Sequence, residues 1–423
     1  MTFQFLHTAD IHLDSPQLHL ERYDGAPVEQ FRAATRHAFE NLVDLAIERS
    51  VAFVLIAGDL YDGECRDVHT LVFFRQQMNR LREQGIRVVL LQGNHDAATV
   101  TKKAFRGELP ENCYLLRTDR AETVTWPDLQ VAIHGQGFAD REVTADLSVS
   151  YPEPLAGWLN IGMLHTNCGN QDAHDPYAPS TVAGLSAKGY HYWALGHIHK
   201  QQILCEAPWI AYPGNIQGRH IREAGPKGCL LVSVEGDRIL RVEPQVTDVV
   251  RWQLCRVDAT NCGDARDVVR AAWDTIHAAM REAVGRPLAV RCEIHGSTLA
   301  HRQLHRTPDH WEQYLRDAIT ENSDAQVWLE KISWRTKPLL GETTTAAELL
   351  PEGLLSLLAR APVGDAALAE LRGELLELAG KCTTDPRLHD ELLDFDDPGL
   401  LRELLNEARE LLTSRLLSSE DAA

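Results

Sequence analysis

The chain is short of several things, and each shortage narrows its class. No apolar run approaches the ~20 residues that a membrane-spanning helix needs. The N-terminus shows no basic start followed by a long apolar stretch and a small-residue cleavage site, so no secretory leader is expected. The nine cysteines (65, 113, 168, 205, 229, 255, 262, 292, 382) are odd in number, scattered, and form no Cys-x-x-Cys pair. That argues against a disulfide framework and for reduced thiols in a cytoplasmic protein. No low-complexity tract stands out, nor any repeat of about 20–50 residues.

Net positive charge is missing too. The formal charge of −19 argues at first against a polyanionic partner. Its distribution softens that argument. Residues 342–423 carry 18 acidic and 7 basic side chains, hence −11 of the total, and the other 341 residues hold only −8. Carboxylates that bind metal cease to count as negative. Two divalent ions against two carboxylates and neutral donors leave about +2 locally. An acidic chain can therefore carry a pocket that attracts phosphate.

What the chain does have is five short polar stretches, each just past a run that reads as a buried strand. They are His7-Thr8-Ala9-Asp10-Ile11-His12, Gly58-Asp59-Leu60-Tyr61-Asp62, Gly93-Asn94-His95-Asp96, Leu164-His165-Thr166-Asn167 and Gly196-His197-Ile198-His199. In open α/β sheets, sites form at the carboxyl ends of strands. The donors are carboxylate oxygen, amide oxygen and imidazole nitrogen, a mixture that suits Mn²⁺, Fe²⁺ or Zn²⁺ more than a soft ion. Asp10 and His12, two residues apart, can reach one ion. Gly58 lets Asp59 approach closely. Asn94 offers a neutral oxygen, and His95 could protonate or hydrogen-bond a substrate with Asp96 orienting its ring. His197 and His199 supply two imidazoles, one for each ion. Any one of these stretches alone is commonplace, and a lone strand-end histidine is a ligand roughly one time in ten. The joint occurrence of all five is what argues for a two-metal phosphoesterase.

The pattern along the chain supplies a frame for them. Residues 2–7, 51–57 and 86–91 read as strands, with amphipathic helices at 31–49 and 67–84, a βαβαβ series typical of a layered α/β domain. Strand-like pieces at 129–134, 159–164, 190–195, 209–212 and 228–234 suggest a second, more antiparallel sheet packed on the first, and the domain closes near 245. Helical spacing at 264–283 and 309–321, between strands at 251–257, 288–294 and 326–334, suits a small α+β accessory domain over 246–340. Residues 338–345 read as a linker. From 346 the chain is acidic and full of leucine pairs, giving helices with wide apolar stripes split by Pro362, Pro386 and Pro398.

The ordered set Asp-x-His, Gly-Asp, Gly-Asn-His-Asp, a lone His and Gly-His-x-His resembles the calcineurin-like metallophosphoesterases. Within them it looks most like DNA-repair nucleases of the SbcD/YhaO type. Tyr212-Pro213-Gly214-Asn215-Ile216-Gln217-Gly218-Arg219 is a further local match. The resemblance covers about residues 1–245 with specific motifs and is thin over 341–423. It implies an α/β fold: a layered α/β/β/α sandwich with a small α+β accessory domain and a C-terminal helical region. It also implies two divalent ions, usually manganese. Asp10, His12, Asp59 and His199 would surround one, and Asp59, Asn94, His165 and His197 the other, with Asp59 bridging. An activated water would attack in line, with His95 at the scissile phosphate, oriented by Asp96, assisting departure and no covalent intermediate. Such nucleases cut DNA from ends or at single-stranded and hairpin sites, commonly beside a large coiled-coil, SMC-like ATPase. Relatives often dimerise, although no stripe here marks an interface.

DNA contacts are less legible. Arg219, His220 and Arg222 follow the Pro-Gly-Asn turn, and Lys102, Lys103 and Arg106 follow Asp96; a solvated basic face is an equal alternative for each group. His301, Arg302, His305 and Arg306 form a third basic cluster. Trp126, Trp158, Trp193 and Trp209 read as core rather than as base-stacking platforms. The tail reads either as a helical cap on its own core or as a docking element for an ATPase coiled coil. Two rival functions stay open: a phosphatase of small phosphomonoesters or cyclic nucleotides on the same core, and a non-catalytic scaffold. The accessory domain and tail weigh against the first, the intact donors and His95 against the second.

Overall fold

The computed structural model describes residues 1–15, 28–62, 68–97, 109–169, 177–324 and 326–339, with short helical pieces at 372–375, 401–402, 405 and 408. Lys102, Lys103, Arg106 and nearly all of the tail lie outside the described residues. Two compact units are present: Met1–Leu254 with Ala278–Arg291 and Ser323–Glu330, and Cys255–His277 with Cys292–Asn322 and Lys331–Ala423. The first unit thus extends past residue 245 and takes in two later segments.

The first unit begins with β1 (Thr2–Thr8), α1 (Val28–Glu48), β2 (Phe53–Ala57), α2 (Val68–Glu83), β3 (Arg87–Leu91) and β4 (Cys113–Leu115). The four strands pair in parallel in the order β1-β2-β3-β4. On the far side of β1 lie β11 (Gly228–Glu235) and β12 (Arg238–Val246), completing six strands in the order β12-β11-β1-β2-β3-β4. β11 runs antiparallel to β1. Pro244 sits in β12 opposite Leu230, tolerated because β12 is an edge strand.

The second sheet contains β5 (Glu122–Trp126), β6 (Val131–Gly135), β7 (Leu159–His165), β8 (Tyr192–Gly196), β9 (Gln202–Glu206) and β10 (Trp209–Tyr212), ordered β5-β6-β7-β8-β10-β9. Two expectations are corrected here. Its four central strands are parallel, and only the edge strands β5 and β9 run antiparallel. The segment at 228–234 belongs to the first sheet. Proline- and glycine-bearing connections resemble hairpin turns locally, but here they carry crossovers.

Strand periodicity explains the layers. In β2, Phe53 and Leu55 point one way and Val54 and Ile56 the other, and all are buried. Phe53, Leu55, Val89 and Leu91 meet Val131, Ile133, Ile161, Met163 and Tyr192 between the two sheets. Val54, Ile56, Val88 and Leu90 meet Phe39, Leu42 and Ala46 of α1 and Phe74, Met78 and Leu81 of α2. The outer face of the second sheet (Leu164, Trp193, Leu195, Tyr212) is covered by Leu185 of α3 (Val182–Ala187). The result is the α/β/β/α sandwich. Each fully buried side chain of this size contributes roughly 1.5–3 kcal/mol. Trp193 is wholly buried, and Trp126 and Trp209 pack partly buried against the layer between the sheets.

A third, three-stranded sheet is made of β13 (Arg251–Asp258), β14 (Leu288–Thr298) and β15 (Val327–Pro338). The helix α4 (Ala265–Ala283), whose residues up to His277 belong to the second unit, buries Val268, Val269, Ala272 and Ile276 along one stripe. α5 (His301–Arg306) and α6 (Pro308–Asn322) follow β14. Among the described residues, no helix is long and apolar enough to cross a membrane, and seven cysteines are free thiols.

Candidate dinuclear metal centre

β1, β2, β3, β7 and β8 all deliver their carboxyl ends to one place, and the polar stretches begin there. The backbone bends sharply to aim them. Asp10, His12 and Asp59 have φ of 51°, 47° and 51°, and His197 has 99°, a region that non-glycine residues enter rarely. Hydrogen bonds hold the bends: Asp10 N–H donates to the Gly58 carbonyl, and His12 N–H to that of Asp59, both at 3.0 Å. His197 N–H donates to both Asp10 oxygens, at 3.0 and 3.1 Å. Space is tight as well. A methyl group on Gly93 would collide with the Asp59 carboxylate and come within 2.8 Å of His165 Cε1.

Two groups of donor atoms result. In one, His12 Nε2 lies 3.2 Å from His199 Nε2 and 4.0 Å from Asp59 Oδ2, and His199 Nε2 lies 3.9 Å from Asp10 Oδ1. In the other, His165 Nε2 lies 2.9 Å from Asn94 Oδ1 and 3.3 Å from Asp59 Oδ2. Asp59 Oδ2 therefore faces both groups. The His197 ring lies beside that of His165, with centroids 5.3 Å apart, and beside Tyr177.

These donors fit divalent ions. Ligand atoms at right angles around an ion ~2.1 Å away are ~3.0 Å apart, close to the 3.2, 2.9 and 3.3 Å separations found here. Asp10, His12 and His199 form one compact donor cluster and Asp10, Asp59 and His165 another. His165 donates through Nδ1 to the Ala57 carbonyl at 2.9 Å, which leaves the Nε2 lone pair for the site.

The electrostatics agree. Burial, with the Asp59 charge adding to it and His165 opposing, pushes the Asp10 carboxyl up to about 7. For Asp59 burial also pushes upward, but the charge and hydrogen bond of His165, with His95 and His12, hold it well below the usual range. His165 responds in kind: burial lowers it, and Asp59 and Asp10 carry it up to about 9. Burial keeps the His12 imidazole neutral, helped by the charges of Arg219 and His95. Burial likewise draws His199 down to about 4 despite its bond to Glu223. Two buried carboxylates lie together, with the His165 imidazole drawn to its cationic form by them and only His12 and His199 neutral, so this set of side chains favours positive charge among its carboxylates.

Around the donors, the structure differs from the sequence reading in one respect. Asp96 does not orient His95. Its Oδ2 accepts from Leu60 N–H and Gly93 N–H, and its Oδ1 from Tyr61 N–H, all at 3.0–3.1 Å, so it staples the two loops together. The turn over Gly93–Ala97, closed by Ala97 N–H on the Gly93 carbonyl, throws Asp96 inward while His95 faces out. Asp62 holds His95 instead, with Oδ1 2.8 Å from His95 Nδ1. For His95 burial is the largest influence and lowers its pKa, but the Asp59 charge and the Asp62 hydrogen bond and charge raise it above its ordinary value.

Asp62 and Glu223 are the residues that sequence reasoning missed. Asp62 carries a signal, since it lies three residues past Asp59 in the same strand-end stretch. Glu223, four residues after Arg219, had no local signal. Arg219 reaches the centre: Nη1 lies 3.7 Å from Asp62 Oδ2, Nη2 3.2 Å from Glu223 Oε1, and Nε is buried with no hydrogen-bond partner. His220 stands at the edge, 3.7 Å from Glu223, and Arg222 is exposed. In the second unit, His301 and His305 both turn to the Thr336 hydroxyl, at 3.0 and 3.1 Å, leaving Arg302 and Arg306 as the exposed members of that cluster.

A sandwich whose parallel strands end in two oxygen- and imidazole-lined donor groups joined by the Asp10 and Asp59 carboxylates defines a metallophosphoesterase, and comparison with known proteins agrees. Residues 3–201 match the calcineurin-like phosphoesterase family, and residues 252–337 match the middle domain of the metallophosphoesterase YhaO. The chain is 33% identical over 297 residues to the uncharacterised metallophosphoesterase YhaO of Bacillus subtilis, covering 69% of this chain and 72% of that one. It therefore belongs to the calcineurin-like metallophosphoesterases of the YhaO type, hydrolases built on a dinuclear metal centre. More distant relatives are DNA double-strand break repair proteins Mre11. That of Sulfurisphaera tokodaii is 24% identical, over 64% of this chain and 70% of its own, and that of Methanopyrus kandleri 25%, over 49% and 48%.

Proposed function

We propose that the protein is a two-metal DNA nuclease that hydrolyses phosphodiester bonds in DNA repair, with Mn²⁺ as the working ion. The observation that carries this is the pairing of the shared-carboxylate donor groups with an outward-facing His95 and the buried guanidinium of Arg219. The role of the Mre11 relatives in DNA double-strand break repair supports nucleic acid as the substrate. Asp10, His12, Asp59 and His199 would hold one ion, and Asp59, Asn94, His165 and His197 the other. Two ions held there would neutralise phosphoryl oxygens and supply a water acidic enough to attack at neutral pH.

The chain's own residues do the rest. His95, with its Nδ1 on Asp62, presents its other ring nitrogen to the leaving oxygen and donates a proton as the bond breaks. Burial lowers its pKa, but the Asp59 charge and the Asp62 hydrogen bond and charge outweigh that and favour the protonated ring. Arg219, held by Glu223 and near Asp62, is placed to meet a non-bridging phosphate oxygen. Asp96 fixes the two loops that bring Asp59 and His95 together. His220 and Arg222 would contact neighbouring phosphates, and Lys102 and Lys103, outside the described residues, remain candidates for the same task.

The division into a nuclease domain (1–245), an accessory domain (246–340) and a helical tail (341–423) that docks an SMC-like ATPase is part of this proposal. The match over 252–337 supports the middle piece. The test compares single-stranded DNA, a DNA hairpin and a small aryl phosphate at equal protein with and without Mn²⁺. Manganese-dependent cutting of DNA is expected. Turnover of the aryl phosphate with both DNA substrates intact would favour the small-molecule phosphatase, and no turnover of anything by the loaded protein would favour a scaffold.

A further inference from the structure

Glu223 is only 5% exposed, and its bonds run to His199, Arg219 and Asn215. Its Oε1 lies 2.6 Å from His199 Nδ1 and 3.2 Å from Arg219 Nη2. Its Oε2 accepts from Arg219 N–H at 2.7 Å and Asn215 Nδ2 at 2.9 Å. Three of these partners can only donate, and an ionised carboxylate can only accept. The short contact to His199 therefore places the imidazole proton on Nδ1. Arg219 Nη2, 3.3 Å from the same nitrogen, approaches it from the side without being accepted by it. The lone pair of His199 is then on Nε2, facing His12 Nε2 at 3.2 Å and Asp10 Oδ1 at 3.9 Å. On the other side of the centre, His165 is fixed independently, by the main-chain carbonyl of Ala57. The two donor groups have separate keepers.

We infer that Glu223 is a positioning residue that holds the Asp10–His12–His199 group, and that group selectively, in its cation-binding form. The inference rests on reading those three residues as cation ligands. Glutamine is the informative replacement, because its size is the same and only its acceptor capacity changes. Whichever way the amide turns, its NH₂ faces a donor, either His199 and Arg219 Nη2 or Arg219 N–H and Asn215. Turned toward His199, it drives the proton to Nε2 and removes the lone pair from the site.

The experiment titrates full-length, metal-stripped protein with Mn²⁺, reading free ion by electron paramagnetic resonance, for the parent and Glu223→Gln. The parent is expected to bind two ions. In the variant one should weaken ~10–100-fold, the usual effect of removing a partner of a ligating histidine, while the other stays within about threefold. Equal weakening of both ions, or of neither, overturns the inference. A parent that binds no Mn²⁺ overturns the metal-centre reading itself and the inference with it. If the variant does not fold, ¹⁵N–¹H spectra of the metal-free parent, with His199 assigned by its loss in His199→Asn, decide the matter. A proton on Nδ1 supports the inference and one on Nε2 refutes it.

Discussion

Replacing Asp62 with asparagine tests the role given to His95 more sharply than replacing His95 itself. Asp62 Oδ1 sits 2.8 Å from His95 Nδ1, with the two side chains 21% and 32% exposed. A charge-assisted bond of this kind is worth about 1.5–3 kcal/mol, so its loss should cost ~10–100-fold wherever proton donation limits the rate. The cost should depend on the leaving group. An alkoxide leaving from DNA needs the proton, whereas an acidic nitrophenolate hardly does. The expected outcome is therefore a ~10–100-fold fall in kcat on DNA and less than about threefold on an aryl phosphodiester. The pH profile gives a second readout. His95 is raised by Asp59 and Asp62 against the downward pull of burial, so an acid catalyst there is lost as pH rises through its pKa. Without Asp62 that falling limb should move to lower pH. Equal losses on both substrates with an unmoved profile would show that Asp62 serves only the fold.

Three further outcomes follow from the same geometry. Asp59→Asn withdraws a carboxylate whose Oδ2 lies near His12 Nε2 on one side and His165 Nε2 on the other, and should lower activity by at least ~10³-fold, several kcal/mol of transition-state stabilisation; retention of two ions by elemental analysis together with near-parent activity would refute the shared-ligand reading. Gly93→Ala forces a methyl group against Asp59 and His165, and should lower stability by about 1–3 kcal/mol and weaken Mn²⁺ binding, checked by urea unfolding and titration. Burial, partly opposed by the Leu195 carbonyl, lowers His7 from 6.5 to about 3. The unfolded chain takes up that proton first, so the associated stability is intact above pH 6.5 and drains away toward pH 3, by ~2 kcal/mol at pH 5. Urea midpoints at pH 7 and pH 5 should therefore diverge less in His7→Asn than in the parent, and identical slopes would refute the assignment.

The sequence alone marked the candidate donors and determined much of the layering. Asp10, Asp59, Asn94, His165, His197 and His199 were legible because a parallel sheet gathers its strand ends at one edge, so residues far apart in number inherit a common address from local pattern alone. Apolar runs such as 53–57 announced burial on both faces for the same reason. What the sequence could not supply was direction. Asp96 is adjacent to His95 and was its natural partner on paper, but the turn at Gly93–Ala97 sends the two side chains opposite ways, and Asp62, 33 residues earlier, takes the place. The segment at 228–235 reads as a strand from its residues, yet only pairing with β1 shows which sheet it joins, because hydrogen-bonding edges carry no side-chain code. Glu223 is the extreme case. Nothing near it in the chain marks it, and its role exists only where the fold brings His199, Arg219 and Asn215, three donors, to one buried carboxylate.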